Sequence, residues 1–273
     1  MPHIRVNNLD HYYEQTGQGA VLVFVHGAFA DARIWEPQWK HFSTKYQLLR
    51  YDLRGHGRTG ASDLAHYSMA TYADDLSALL DALAIRSPIL CGLSWGGSIA
   101  QAFAVRNPER PRALILAGTA VSIDLTMLDK LLCYVMFPRW MMSLTIRMMS
   151  VENFTRFSFR LARLTRGKHW LSRDENAQAY LEQCMLRMEK SEYLKIWNAM
   201  YGFHTLPLEK ITCPTLILNG EFEPKNTFRH TEEILRRIPQ AKARIIPCAS
   251  HAMNLEQAET FNNFVDAFLD GAG

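Results

Sequence analysis

The segment Ile89-Leu90-Cys91-Gly92-Leu93-Ser94-Trp95-Gly96-Gly97 decides the fold. Its apolar first part predicts a strand over residues 88–92, and the residues that follow predict a helix over 95–106. The pattern G-x-S-x-G lies at the junction of the two. A sharp turn there would hold the Ser94 hydroxyl above a sheet, and a side chain at position 92 or 96 would collide across that turn.

Strand and helix signals alternate on both sides of this junction. Apolar and β-branched runs predict strands over 21–25, 46–51, 113–117, 215–219 and 243–247. Apolar residues at helical spacing predict helices over 71–85, 227–238 and 256–269. This alternation indicates the α/β class, with a doubly wound, mostly parallel sheet covered by helices on both faces.

Residues 121–206 interrupt the alternation. This stretch holds nine of the twelve methionines, and its pattern indicates helices without strands. Because strands of the same sheet are predicted on both sides of it, we interpret it as a helical cap. The predicted α/β core then consists of residues 1–120 and 207–273.

Composition narrows the classes of protein to consider. A net charge of +3 over 273 residues is too small to indicate a nucleic-acid partner. The five cysteines are an odd number without C-x-x-C spacing, so they predict reduced thiols and a cytoplasmic location rather than a zinc site. Residues 1–5 contain no apolar run, so we expect no signal peptide. Residues 131–149 contain Pro138, Arg139 and Arg147, so we expect no transmembrane segment.

The motif His26-Gly27-Ala28-Phe29 follows the strand predicted over 21–25. A loop at this place can aim a backbone N–H at an oxyanion, together with the N–H of Trp95, the residue after the serine. We expect Ala28 to supply the first of these donors, with Phe29 as the next choice. His26 lies early in the chain, and we expect it to hold the loop by hydrogen bonds.

These motifs resemble the α/β-hydrolase superfamily over almost the whole chain. Further motifs that carry the resemblance are Asp52-Leu53-Arg54-Gly55-His56-Gly57-Arg58-Thr59, Pro214-Thr215-Leu216-Ile217-Leu218-Asn219-Gly220 and Ser250-His251-Ala252-Met253-Asn254-Leu255-Glu256. The resemblance implies an eight-stranded sheet and the chain order nucleophile, acid, histidine, which Ser94, Glu223 and His251 fit. Asp52 and His56 then belong to the architecture of a loop.

The sequence departs from the pattern of the superfamily at the position of the triad acid. An aspartate normally stands three residues after Gly220, and Glu223 occupies that position here. A glutamate can still orient a histidine, but its extra methylene requires a slightly retracted backbone. Glu221 and Asp124 remain alternatives, since Asp124 follows the preceding strand, where the superfamily sometimes keeps its acid.

The serine nucleophile indicates acyl chemistry, because the epoxide hydrolases and haloalkane dehalogenases of this fold need an aspartate. The leading hypothesis is a serine esterase that cleaves carboxylic esters or lactones with a medium-size apolar acyl part. The alternatives are an acyltransferase or thioesterase that takes acyl groups from acyl-carrier protein or coenzyme A, or a C–C bond hydrolase. A non-catalytic binding protein is disfavoured by the apparently complete triad. No cofactor motif and no histidine pair with metal spacing is present, so we expect a small-molecule substrate and no cofactor or metal.

The cap offers two features with open interpretations. Its methionines and aromatic residues suit either an apolar acyl pocket or simple packing against the core; the aromatic ones are Phe137, Trp140, Phe154, Phe157, Phe159, Trp170, Trp197 and Phe203. Residues 139–173 carry eight basic residues against Glu152 alone, and Arg156, Arg160 and Arg163 share one helical face. This basic face is either solvated or docks an acidic partner, such as a carrier protein, a coenzyme A phosphate or an anionic lipid surface.

Overall fold

The computed structural model describes residues 2–271. Within this range eight strands form one sheet with the order β1-β2-β4-β3-β5-β6-β7-β8. The strands are β1 (His3–Val6), β2 (Leu9–Thr16), β3 (Val21–Val25), β4 (Gln47–Tyr51), β5 (Ile89–Leu93), β6 (Ala113–Ala117), β7 (Thr215–Gly220) and β8 (Ala241–Ile246). β2 pairs antiparallel with β1 and β4, and the other neighbours are parallel. The predicted fold class is therefore confirmed.

The helices connect these strands and cover both faces of the sheet. They are α1 (Glu36–Phe42), α2 (Met69–Ala82), α3 (Trp95–Arg106), α4 (Met127–Leu131), α5 (Arg139–Met148), α6 (Val151–Arg166), α7 (Glu175–Leu186), α8 (Lys190–Tyr201), α9 (Lys225–Arg237), α10 (Met253–Glu256) and α11 (Ala258–Asp270). Short 3-10 helices span Ala32–Trp35 and Leu208–Lys210, and a π-helical turn spans Leu132–Met136.

Alternate strand residues point to opposite faces and so build two apolar cores. Val23 and Leu90 pack with residues of α2 and α3 on one face. Leu22 and Phe24 pack on the other face, against α1 and against Phe261 of α11. The central parallel strands are buried on both faces, which is why their sequences are continuously apolar.

Local sequence sets where elements begin. The Ser68 side chain accepts a hydrogen bond from the N–H of Thr71 at 3.1 Å, and the Thr71 hydroxyl oxygen accepts one from the N–H of Ser68 at 3.2 Å. This capping box starts α2 at Met69, two residues before the predicted start. Asn7 and Asn8 both have positive φ, 48° and 59°, in the tight turn between β1 and β2.

The chain between β6 and β7, which we call the helical segment (residues 121–206), contains α4 to α8. It is tied to the rest of the chain by polar contacts. The buried Glu192 of α8 accepts a hydrogen bond from the Tyr67 hydroxyl, and Lys195 donates to the Ser62 carbonyl at 2.6 Å. The division into a core and a cap stays a prediction. In the described chain, no helix has the length and apolar character needed to cross a membrane.

Candidate active site

Ser94 lies in the turn between β5 and α3, with φ 54° and ψ −118°. These angles are strained for any residue other than glycine, as in the nucleophile elbow of this fold. A Cβ atom at Gly92 would lie 2.5 Å from the backbone of Gly96, and one at Gly96 would lie 2.1 Å from the Val25 carbonyl oxygen. The predicted collision across the turn is confirmed at Gly92, whereas a side chain at Gly96 would collide with the end of the neighbouring strand β3 instead. The turn holds Ser94 partly exposed.

Hydrogen bonds on both sides keep the strained turn in place. The Ser94 N–H donates to the carbonyl oxygen of Ala117, the last residue of β6, at 2.7 Å. The Thr119 hydroxyl donates to the Ser94 carbonyl oxygen at 3.0 Å. Residues at the end of β6 and just after it therefore fix the backbone from which the Ser94 hydroxyl projects.

His251 and Glu223 form a pair in the loops that follow β8 and β7. His251 Nδ1 lies 2.8 Å from Glu223 Oε1. The Glu223 side chain is 1% exposed and that of His251 is 15% exposed. The other carboxylate oxygen of Glu223 accepts a hydrogen bond from the Thr227 hydroxyl at 3.2 Å. This arrangement lets the carboxylate fix the ring orientation while the far edge of the imidazole stays accessible.

Gly118 connects this pair to the serine. It follows Ala117, which holds the Ser94 N–H, and its φ is +52°. A Cβ atom at Gly118 would lie 2.6 Å from Glu223 Oε1 and 3.0 Å from His251 Nδ1. The carboxylate, the imidazole and the backbone beside the serine therefore converge at one residue without a side chain.

Two backbone donors flank the serine. In the part of the chain that the structure describes, the N–H groups of Ala28 and Trp95 have no hydrogen-bond acceptor, and neither has that of Phe29, the next choice for the donor. Trp95 opens α3, so its N–H lies at the positive end of the helix dipole. A Cβ atom at Gly27 would lie 3.3 Å from Ser94 Cβ, which puts the loop after β3 directly beside the serine. Such free donors can stabilise an oxyanion.

His26 and Asp52 lie in the same region, and both side chains form hydrogen bonds with backbone groups. His26 Nδ1 contacts the Gly27 carbonyl oxygen at 2.8 Å, and His26 Nε2 accepts the Leu53 N–H at 2.9 Å. The ring is thus protonated on Nδ1 and has no free nitrogen for proton transfer. Asp52 accepts hydrogen bonds from the N–H groups of Ala32 and Arg58, both at 2.7 Å.

His56 is fully buried, and its Nδ1 contacts the Arg54 carbonyl oxygen at 2.9 Å. Burial, and secondly the neighbouring His26 ring, lower the pKa of His56 to about 3. Burial likewise lowers the pKa of His26. Both rings are neutral over the physiological range and support the loops around the site.

The two alternative acids lie elsewhere. Asp124 accepts a hydrogen bond from the Tyr134 hydroxyl at 2.9 Å and lies 3.5 Å from His204 Nδ1. Glu221 is exposed and accepts the Cys248 N–H at 2.8 Å. Of the three carboxylates considered, Glu223 is the one that contacts the His251 ring.

The helical segment reaches the His251 loop through a contact that sequence reasoning missed. The N–H groups of His251 and Ala252 donate to the carbonyl oxygens of Trp170 and Leu171 at 3.0 and 2.8 Å. The ring centroids of Trp170 and His251 are 5.5 Å apart. Residues between α6 and α7 therefore help to hold the loop that carries the histidine.

Glu256 strengthens this junction. Its Oε1 accepts hydrogen bonds from the Ser172 hydroxyl, at 2.7 Å, and from the Arg173 N–H, while its Oε2 accepts the Ser250 N–H. Glu256 was part of a quoted motif, but its role depends on the approach of residues 84 positions away along the chain. No local sequence signal predicts such a contact.

Aromatic side chains surround the two backbone donors. Phe29, with φ 64°, stacks on Tyr193 of α8 at 4.9 Å between ring centroids. Trp95 packs edge to face against Phe203 at 5.6 Å. Of the aromatic residues predicted to serve a pocket or to pack, Phe154 is buried, whereas Trp140 is 68% exposed and serves neither purpose.

Among residues 2–271, no cluster of three or more histidine, cysteine, aspartate or glutamate side chains has the arrangement of a metal site.

Comparisons with known proteins show the family and the fold of the chain. The chain is 24% identical to 3-oxoadipate enol-lactonase 2 of Acinetobacter baylyi, over 91% of this chain and 88% of that protein. It is 24% identical to pimeloyl-[acyl-carrier protein] methyl ester esterase of Nitrosomonas europaea, over 94% of this chain and 98% of that protein. The crystal structure of the enol-lactonase from Burkholderia xenovorans superimposes with a TM-score of 0.83 at 25% identity, covering 98% of this chain and all of that one.

A sequence profile described as "Alpha/beta hydrolase family" matches residues 22–264, which is most of the chain. The three proteins just described are named as an esterase and as enol-lactonases, and the sheet order and the turn at Ser94 have the arrangement of the α/β-hydrolase fold. The chain therefore belongs to the alpha/beta hydrolase family, and it is a hydrolase.

Proposed function

We propose that this protein is a serine esterase that cleaves carboxylic esters or lactones with a medium-size apolar acyl part. Ser94 is the nucleophile, His251 the general base and Glu223 the acid of the triad. The observation that carries the proposal is the 2.8 Å contact between His251 Nδ1 and the buried Glu223 carboxylate, beside the strained turn of Ser94.

The reaction follows from the roles of these groups. Ser94 Oγ attacks the substrate carbonyl while His251 Nε2 takes the hydroxyl proton, and Glu223 stabilises the resulting imidazolium through Nδ1–H. The negative oxygen of the tetrahedral intermediate accepts hydrogen bonds from the N–H groups of Ala28 and Trp95. The intermediate collapses to an acyl-enzyme, and His251 returns the proton to the departing alkoxide. Water then attacks the acyl-enzyme by the same steps, which releases the acid and restores Ser94.

The apolar acyl part is supported by what lies next to the backbone donors. Phe29 follows Ala28 in the chain, and Trp95 carries the second donor. Both side chains pack on aromatic residues of the helical segment. Aromatic and apolar walls beside a few polar groups are typical of sites for small organic ligands. Cleavage of lactones as well as open esters is supported by the enol-lactonase relatives.

A panel of p-nitrophenyl esters of increasing acyl length, together with aliphatic lactones, tests the proposal. We expect turnover to peak at a medium acyl length and Ser94→Ala to lower kcat by about a thousandfold or more. The proposed activity would be contradicted if the protein hydrolysed none of the esters and lactones in the panel.

A second candidate, transfer or hydrolysis of acyl groups carried by an acidic donor, is favoured by one observation. Arg156, Arg160 and Arg163 line a cavity of about 170 Å³ together with Gln178 and Glu182. Three guanidinium groups in one cavity suit phosphates or carboxylates. The relative from Nitrosomonas europaea is named for an acyl-carrier substrate.

Charge reversal separates the two candidates. Arg156→Glu/Arg160→Glu/Arg163→Glu should leave kcat/KM on a neutral p-nitrophenyl ester within a few-fold, as should the matched triple variant Arg86→Glu/Lys225→Glu/Lys242→Glu. If the second candidate holds, the first triple alone loses at least about tenfold, or 1.4 kcal/mol, on an acyl-carrier donor. The wild-type rate on that donor would then also fall steeply with salt.

We also propose a cytoplasmic location. All five cysteines lie in the described part of the chain, and none of them forms a disulfide there. Reduced cysteines are typical of proteins kept in a reducing compartment.

A further inference from the structure

The most concentrated apolar surface of the protein lies on the helical segment. Fifteen large apolar side chains are exposed in the described chain, and nine of them fall within residues 127–148. Met127, Trp140 and Met148 are 81%, 68% and 77% exposed. Scattered exposed apolar residues are ordinary, but a concentration of this kind marks an interaction site. We call this set the apolar surface: Met127, Leu128, Leu131, Tyr134, Val135, Met136, Trp140, Leu144 and Met148.

Helical spacing places three of these residues on one face of a helix. In α5, Trp140, Leu144 and Met148 recur every four residues and so lie along one side of the helix. Met142 and Ile146 lie on the opposite side and are buried in the core. The helix therefore packs against the core through the side that carries Met142 and Ile146. The opposite side, which carries Trp140, is left for a partner.

Basic residues outnumber acidic ones around the apolar surface, where the partly buried Asp124 accepts the Tyr134 hydroxyl at 2.9 Å. Lys130, Arg139 and Arg147 are exposed, and none of them takes part in an ion pair within residues 2–271, although Arg139 Nε donates to Asn198 Oδ1 at 2.7 Å. Asp129 is the sole acidic residue of 127–148, and it is buried, where its carboxylate accepts the Thr126 N–H at 2.9 Å. Exposed apolar residues with basic residues outside ion pairs, and no exposed carboxylate within residues 127–148, have the composition of a surface that binds an anionic membrane.

We propose that the apolar surface docks on anionic lipid, with Trp140, Leu144 and Met148 in the interfacial layer and Lys130, Arg139 and Arg147 at the headgroups. The helices lie on the membrane, since none described could cross it. A symmetric pair of copies would bring the same three cations together, which disfavours a second copy as the occupant. An acidic carrier protein would match the charges but leave most of the apolar side chains unexplained. The proposal does not depend on the proposed chemistry at Ser94.

Flotation with lipid vesicles tests this docking. The wild type should float with phosphatidylglycerol vesicles and at least tenfold less with phosphatidylcholine vesicles. Trp140→Ser/Leu144→Ser/Met148→Ser and Lys130→Gln/Arg139→Gln/Arg147→Gln should each weaken partitioning to phosphatidylglycerol at least tenfold. Two controls should float like the wild type: Ile245→Ser, which changes an exposed apolar residue of β8, and Arg86→Gln/Lys225→Gln/Lys242→Gln.

A conservative variant gives a readout that does not depend on folding of the multiple variants. Brominated phosphatidylglycerol should quench part of the tryptophan fluorescence of the wild type, and Trp140→Phe should remove that part while still floating. Absence of wild-type flotation, or equal flotation of all variants, would overturn the proposal. Sedimentation that shows a dimer abolished by the Trp140/Leu144/Met148 variant, without vesicle binding, would overturn it in favour of a second copy.

Discussion

Glu223 shows how the site accommodates one additional methylene group. It carries one methylene more than the aspartate usual at this position, and the carboxylate lies where a side chain on Gly118 would clash at 2.6 Å. The positive φ of Gly118 and the absence of its side chain leave room for the longer acid and for the His251 ring. Sequence position alone could nominate Glu223, but the contribution of Gly118 depends on strand pairing and could not be predicted.

We predict that Glu223→Gln lowers kcat on a p-nitrophenyl ester at least about a hundredfold, because the amide cannot stabilise the imidazolium. Glu221→Gln and Asp124→Asn are the matched controls and should stay within a few-fold of wild type, since their carboxylates contact Cys248 and Tyr134 instead. A crippled Asp124→Asn variant beside a near-normal Glu223→Gln variant would show that the acid follows the earlier strand.

His56 makes stability depend on pH. Its folded pKa of about 3 lies below the unfolded value of about 6.5, so the unfolded state binds the proton more readily. Its contribution to stability is complete above pH 6.5 and declines as pH falls toward 3. Between pH 6.5 and 5 this amounts to about 2 kcal/mol, at about 1.4 kcal/mol per pH unit. Burial of His26 and His11 acts with the same sign.

The free energy of unfolding in urea, measured at pH 7.5 and pH 5, tests this coupling. The wild type should lose stability toward pH 5, and His56→Gln should lose about 2 kcal/mol less over the same range. His66→Gln, which changes an exposed histidine, should keep the wild-type pH dependence. Identical pH dependence in His56→Gln and the wild type would mean that His56 is not held neutral.

At the scale of elements, periodicity predicted the parts that are buried on a regular pattern. The bounds predicted for α3 and β6 agree with the structure, because clear breaks flank each of them: the Ser94 turn and Asn107-Pro108 bound α3, and β6 is a short, continuous apolar run. β1 and β2 were not predicted, since they form an antiparallel edge with only partly buried side chains. The adjacent asparagines at positions 7 and 8 were the available signal for the turn between them.

The loop between α6 and α7 is an element-level contribution to the site. We predict that Glu256→Ala lowers kcat about tenfold and speeds hydrogen exchange at the N–H groups of His251 and Ala252, which donate to Trp170 and Leu171. The reason is that the Glu256 carboxylate joins this loop to Ser250. Glu259→Ala, an exposed change in α11, serves as the control for both measurements. Unchanged exchange at those two amides would contradict a positioning role for Glu256.

At the scale of the whole molecule, the sheet order brings the site together. The chain winds in opposite directions from β3, which pairs with β4 on one side and β5 on the other. Ligands of open α/β sheets bind at the carboxyl ends of strands near such a reversal, where the Ala28 loop and Ser94 meet. β7 and β8 deliver Glu223 and His251 to the same edge from more than 120 residues away along the chain.

This organisation explains which parts of the site could be predicted. Motifs at strand ends nominated Ser94, His251, Glu223 and the loop of Ala28, because the ends of parallel strands share one edge. The packing of α4 to α8 was not predictable, since methionine and aromatic side chains fit both a core and a surface. Trp140 is an example: the sequence suggested a pocket or packing role for it, but its side chain is exposed.

Covalent labelling tests the central claim, that Ser94 is a nucleophile activated by His251. The wild type, Ser94→Ala and His251→Gln are incubated with a fluorophosphonate, and the intact mass of each is recorded over time. We predict one adduct per chain on the wild type, none on Ser94→Ala, and labelling of His251→Gln slowed at least about a hundredfold. Equal labelling of the wild type and Ser94→Ala, or no labelling of a folded wild type, would contradict the account.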